Sequence, residues 1–129
     1  MAAAAVVSGK KLLHLGGAVF QAPSLRMAKK LGCQLILVDI DETCPGREIA
    51  DIFERVSTRD VEGVLKIAER YQVDGIMTYA AESAAPATVA KVAETLGLPG
   101  NPSEAAKILE RKDLFREFQR DNNILHPIF

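Results

Sequence analysis

Lys11-Leu12-Leu13-His14-Leu15-Gly16-Gly17 decides the reading of this chain. Leu12–Leu15 is a short continuous run that ends in a glycine pair, the pattern of a strand buried on both faces. His14 lies inside that run and is expected to be a packed, hydrogen-bonded core residue. Leu35–Val38 repeats the pattern, and Gly75–Thr78, with Val73 leading in, gives a third strand. Phe53–Val56 is shorter and polar enough for an edge strand. The runs between them change period. Val61, Val64, Leu65, Ala68 and Tyr71 fall three and four apart, as do Val89, Val92, Ala93 and Leu96. Each set draws an apolar stripe along a helix. Ser24–Leu31 reads as a helix that stops at Gly32, and the Val89–Leu96 helix stops at Gly97.

Buried strands alternating with amphipathic helices specify an α/β fold. The expected architecture is a Rossmann-like three-layer domain: a parallel sheet of four to five strands with helices on both faces. Right-handed crossovers place the first strand centrally, in an order such as 3-2-1-4. Past Gly97, Asn101-Pro102-Ser103-Glu104 reads as a helix start capped by Asn101. That helix runs to Leu109, a second covers Lys112–Asp121, and Asn122 and Asn123 end it.

The 129 residues amount to one domain, with 48% hydrophobic residues, 26% charged residues and no Trp. Those values exclude a disordered or collagen-like chain. Sixteen Lys+Arg against seventeen Asp+Glu leave a net charge of -1, a poor footing for nucleic acid. No apolar run approaches the roughly 20 residues that cross a bilayer, so no membrane partner is expected. Residues 1–9 read as a disordered leader or cloning remnant, and 10–129 as the domain. Cys33 and Cys44 match no metal or redox spacing and read as two reduced thiols, which places the chain in the cytoplasm.

In such folds ligands collect at the carboxyl ends of the strands, which directs attention to three loops. After Leu15, Gly16 and Gly17 let backbone approach an anion or ribose, or else simply make a tight turn. Ala18 and Gln21 stand where a dinucleotide fingerprint has its later glycines. After Val38 come Asp39, Asp41 and Glu42. Asp39 sits where dinucleotide folds bond a ribose, while the trio matches no standard metal loop. After Thr78, Glu82 and Ser83 either cap the next helix or face the ligand edge, and the two roles are compatible. His126, beside Pro127, reads as exposed. No catalytic triad or dyad follows from these spacings.

The ordered set of motifs carries a resemblance. It comprises the Leu15-Gly16-Gly17 strand end, Val38-Asp39, Ala50-Asp51, Asp74-Gly75-Ile76, Leu96-Gly97-Leu98-Pro99-Gly100-Asn101 and Glu104-Ala105-Ala106. Lys112 with Phe115 and Arg116 completes it. Over about residues 10–129 this resembles the N-terminal, pre-ATP-grasp domain of ATP-grasp ligases, the superfamily of biotin carboxylase and the carbamoyl phosphate synthetase large subunit. The resemblance implies an ATP-dependent carboxylate-amine ligase that works through an acyl phosphate. ATP and Mg²⁺ would be its cofactors, and small-molecule carboxylates and amines its partners; a homodimer is also allowed.

Residue by residue, the resemblance places Lys112 on the ATP phosphates, with Arg116 at the family's Arg position and Arg111 where the family has Asp. It places Gly16, Gly17, Glu82 and Ser83 on the substrate. The family's Mg²⁺ ligands and lysine-bearing lid lie beyond the point corresponding to Phe129. The chain alone is therefore expected to hold no catalytic residue, no metal ligand and no retained cofactor. Two other readings stay open: a free-standing nucleotide- or dinucleotide-binding module, and a structural or interaction domain.

Overall fold

The computed structural model describes residues 6–80 and 84–128. Four strands, β1 (Lys11–Leu15), β2 (Gln34–Asp39), β3 (Ile52–Arg55) and β4 (Gly75–Thr78), form one parallel sheet in the order β3-β2-β1-β4. Among the described residues the sheet has four strands, the lower number of the four to five expected. The helices are α1 (Ala22–Lys30), α2 (Val61–Tyr71), α3 (Ala85–Leu96), α4 (Ser103–Glu110) and α5 (Lys112–Asp121).

Strand alternation divides the core in two. Leu13, Leu15, Ile36, Val38 and Ile76 face α2 and α3, where they meet Val64, Ile67, Ala68, Val92 and Ala93. Leu35 and Leu37 face the other way, onto Leu25 and Ala28 of α1 and onto Cys33 and Cys44. Both thiols are free and buried. At the amino edge, Asp51 accepts the Leu35 N–H at 2.7 Å and Asp74 the Lys11 N–H at 2.8 Å. Two carboxylates thus bond to backbone where strands begin.

The helix ends follow backbone chemistry. Gly97 closes α3 in the left-handed conformation (φ 67°), and Gly32 follows α1 with φ 87°. Helix α2 ends instead on Gln72 (φ 51°), a non-glycine cap that the sequence pattern does not announce. Two 3-10 turns were also unannounced: Val19–Gln21, and Pro45–Glu48 in the loop after β2. The expected Asn101 cap is corrected. Helix α4 starts at Ser103, with Pro102 in the capping position and no side-chain capping bond. Extended backbone at Pro102 (ψ 140°) separates Asn101 from the helix.

Residues 1–5 of the expected leader lie outside the described residues. Within 6–9, Val7 packs against the α1-side core, and the Gly9 N–H donates to Gly32 O at 2.9 Å.

Candidate functional site at the carboxyl edge of the sheet

The Gly16–Gly17 loop leaves the central strand at the carboxyl edge and is bonded on every side. Gly16 adopts φ 90°, a conformation that favours glycine, and its N–H donates to Val38 O at 2.8 Å. The Gly17 N–H donates to Asp39 Oδ2 at 2.8 Å, and Gly17 O accepts the Gly46 N–H at 2.8 Å. A Cβ on Gly17 would lie 2.9 Å from Cys44 Sγ and 2.8 Å from Leu37 Cδ2. Here glycine serves close backbone packing between the loops after β1 and β2.

His14 supports the loop from beneath. It is fully buried, as the strand pattern predicts. Its Nδ1 lies 3.0 Å from Gly16 O, and a carbonyl can only accept, so Nδ1 carries the proton. In the neutral ring Nε2 is then an acceptor, and it receives the Ser24 hydroxyl at 2.6 Å. Burial holds the His14 pKa down at about 4, partly offset by the bond to Gly16. Turned so that its amide nitrogen faces the loop, Gln21 donates to Leu15 O at 3.0 Å and to Gly16 O at 3.2 Å. No spacing rule marks Ser24 as a partner of His14 or Gln21 as a partner of the glycine loop, since their convergence depends on the 3-10 turn that leads into α1.

The three acids after β2 turn to separate partners. Asp39 accepts the N–H of Gly17 through one oxygen and of Asp41 (2.9 Å) through the other. Asp41 accepts the hydroxyl (2.6 Å) and N–H (2.8 Å) of Thr43, which lower its pKa. Glu42 lies 3.9 Å from Arg55. Burial raises the Cys44 pKa, with the Asp39 charge adding to it, so this thiol is held protonated.

Beside β1, the end of β4 is tied in by Thr78, whose hydroxyl donates to Leu15 O at 2.9 Å and accepts the Ala80 N–H at 3.2 Å. A cavity of about 660 Å³ opens there, walled by Thr78, Tyr79, Ala80, Pro86 and Asn101 among others. Asn101, read from sequence as a cap, lines this cavity. Glu82 and Ser83 lie outside the described residues. Lys112 is not among the residues that line this cavity. It is the exposed first residue of α5, and α5 packs on α4. The preceding Arg111 bonds to Asp113, with Nε 3.1 Å from Oδ1, and Arg116 donates to Gln119 at 2.6 Å. His126 is exposed, as expected. Among the described residues no helix is long and apolar enough to cross a membrane.

No protein-family model and no curated protein sequence matches the chain. Solved structures do. Phosphoribosylglycinamide synthetase from Anaerococcus prevotii superposes with a TM-score of 0.81 at 23% identity, covering 90% of this chain and 30% of that one. L-amino acid ligase from Bacillus licheniformis gives 0.77 at 21%, covering 94% and 32%. N5-carboxyaminoimidazole synthetase from Staphylococcus aureus, complexed with ADP, gives 0.74 at 19%, covering 90% and 30%. At these identities the likeness is one of fold, and the chain spans about a third of the length of each of these proteins. With its 3-2-1-4 parallel sheet and helices on both faces, this chain has the pre-ATP-grasp fold that its ordered motifs resemble.

Proposed function

We propose that this chain is the N-terminal domain of an ATP-dependent carboxylate-amine ligase that works through an acyl phosphate. It would contribute to the substrate and ATP sites without catalysing alone. The observation that carries the reading is the fold match over nine-tenths of the chain to a third of a synthetase, together with the ordered motifs. The Staphylococcus aureus synthetase of like fold was crystallised with ADP. In this reading ATP and Mg²⁺ belong to the complete enzyme, and Lys112 meets the ATP phosphates as a point charge. Its exposure, and its lack of an ion pair among the described residues, support that role.

Gly16, Gly17, Glu82 and Ser83 contribute to the substrate site. The N–H groups of both glycines are engaged by Val38 and Asp39. A ligand there would therefore use close approach to the bare backbone and the neighbouring 660 Å³ cavity, not an N–H cradle. The same two bonds weigh against a free-standing dinucleotide module, because the carboxylate such a module would turn to a ribose is occupied by the loop. Transfer of a phosphoryl group needs metal and charge clamps around it. The isolated chain is therefore expected to show no carboxylate- and amine-dependent ATP turnover in a coupled assay, while the complete gene product shows it. Turnover by the isolated chain that disappears in Lys112→Ala would overturn the proposal.

A further inference from the structure

The cavity beside Thr78 has the size and lining of a small-molecule pocket: about 660 Å³, mostly apolar, with a few polar groups. Ile76, Met77, Pro86 and Val89 supply apolar wall, and no Asp, Glu, Lys, Arg or His lines it among the described residues. The two short polar side chains there differ in what they have left to offer. The Thr78 hydroxyl is taken up by Leu15 O and the Ala80 N–H. The Asn101 amide is exposed and has no hydrogen bond among the described residues, so its donors and its oxygen can meet a ligand.

The chemistry around the cavity runs against phosphate. A phosphate is held by Lys or Arg, or by N–H groups at a loop or a helix start. The glycine N–H groups are engaged by Val38 and Asp39, and Pro86 takes one donor out of the first turn of α3. The segments 16–21, 79–84 and 97–102 hold no Lys, Arg or His in their sequence, and their single charged residue is Glu82. That reading covers 81–83, which lie outside the described residues. Lys91 of α3 lines a separate cleft with Arg59 and Lys107, and Arg47, past β2, stacks on the Phe53 ring at 4.8 Å.

We infer that this cavity takes a substrate free of phosphate: an amino acid, or another small carboxylate or amine, with an aliphatic body. The body packs against Met77 and Val89 while Asn101 holds the polar end. A phosphorylated sugar would bring its charge to a wall that offers no counter-charge. The inference rests on the ligase reading and narrows the substrate of that same site.

Heteronuclear NMR on the full chain tests it, with L-leucine and ribose 5-phosphate as probes. Leucine should shift the Thr78, Ala80 and Asn101 signals saturably at millimolar concentration, and ribose 5-phosphate should bind at least about tenfold more weakly. Asn101→Ala, at an exposed position, should keep the wild-type circular dichroism spectrum and weaken leucine about three- to tenfold, the effect of one lost hydrogen bond. Ribose 5-phosphate binding as tightly as leucine overturns the inference. So does an absent leucine response, or one that Asn101→Ala leaves unchanged. Failure of the ligase reading is seen separately, as ATP turnover by the isolated chain that depends on Lys112.

Discussion

Gly46 and Gly17 meet backbone to backbone: the Gly46 N–H donates to Gly17 O at 2.8 Å, and a Cβ on Gly46 would lie 2.7 Å from Gly17 Cα. The same Cβ would lie 2.6 Å from Leu25 Cδ1. Gly46→Ala must therefore push the loops after β1 and β2 apart or displace α1, an overpacking cost of about 1–3 kcal/mol. Gly97→Ala meets nothing within 4 Å and pays only for its positive φ, about 1 kcal/mol. Urea unfolding of the two variants should rank Gly46→Ala as the more destabilised. The reverse order would show that the loops separate easily.

The buried imidazole gives stability a defined pH dependence. The folded pKa of His14 is about 4 against 6.5 for the free side chain. Between those values the unfolded chain binds a proton that the folded chain refuses, so stability rises with pH across that window. Falling from pH 6.5 to 4 should remove about 3 kcal/mol through this residue. His14→Asn keeps a donor for Gly16 O without a titrating ring, so its unfolding free energy should be flatter from pH 4 to 6.5. An equally steep profile in the variant would assign the slope to other groups.

Asp39 uses both oxygens on backbone N–H groups, and an amide offers only one acceptor. Asp39→Asn should therefore leave the Gly17 or Asp41 N–H facing an amide nitrogen, at about 1–3 kcal/mol. Hydrogen exchange at those two amides should quicken more than at the β2 core. Unchanged protection at both would show that the loop holds itself without the carboxylate.

Lys112→Ala separates folding from function. At an exposed helix start, alanine should leave unfolding within about 0.5 kcal/mol of wild type. If Lys112 meets ATP in a complete ligase as proposed, losing that charge-assisted phosphate contact should cost about 1.5–3 kcal/mol, or roughly ten- to a hundred-fold in ATP use. Arg111→Ala should matter less to ATP, since that guanidinium is held by Asp113. Equal ATP kinetics for wild type and Lys112→Ala would make Lys112 an ordinary surface residue.

The sheet was legible because buried parallel strands write themselves as apolar runs. Gly75–Thr78 and Lys112–Asp121 are found at the residues where the pattern places them. His14 was legible as core for the same reason. What escaped was chemistry that depends on distant segments meeting. The Asp39–Gly17 bond joins residues 22 apart, and Thr78 reaches Leu15 across 63. Asn101 misled because Asn before Pro has the composition of a cap, whereas Pro102 keeps the extended backbone that its own ring favours and takes the capping position itself.

The bonded state of the Gly16–Gly17 loop also bears on how anything binds there. Its carbonyls and N–H groups have protein partners before a ligand arrives, and the imidazole, an amide and a carboxylate hold it from three sides. Such a loop has little freedom left to lose. Recognition at this edge should then resemble a key meeting a finished lock: encounter without a closing step, and selectivity set by what fits against stationary backbone.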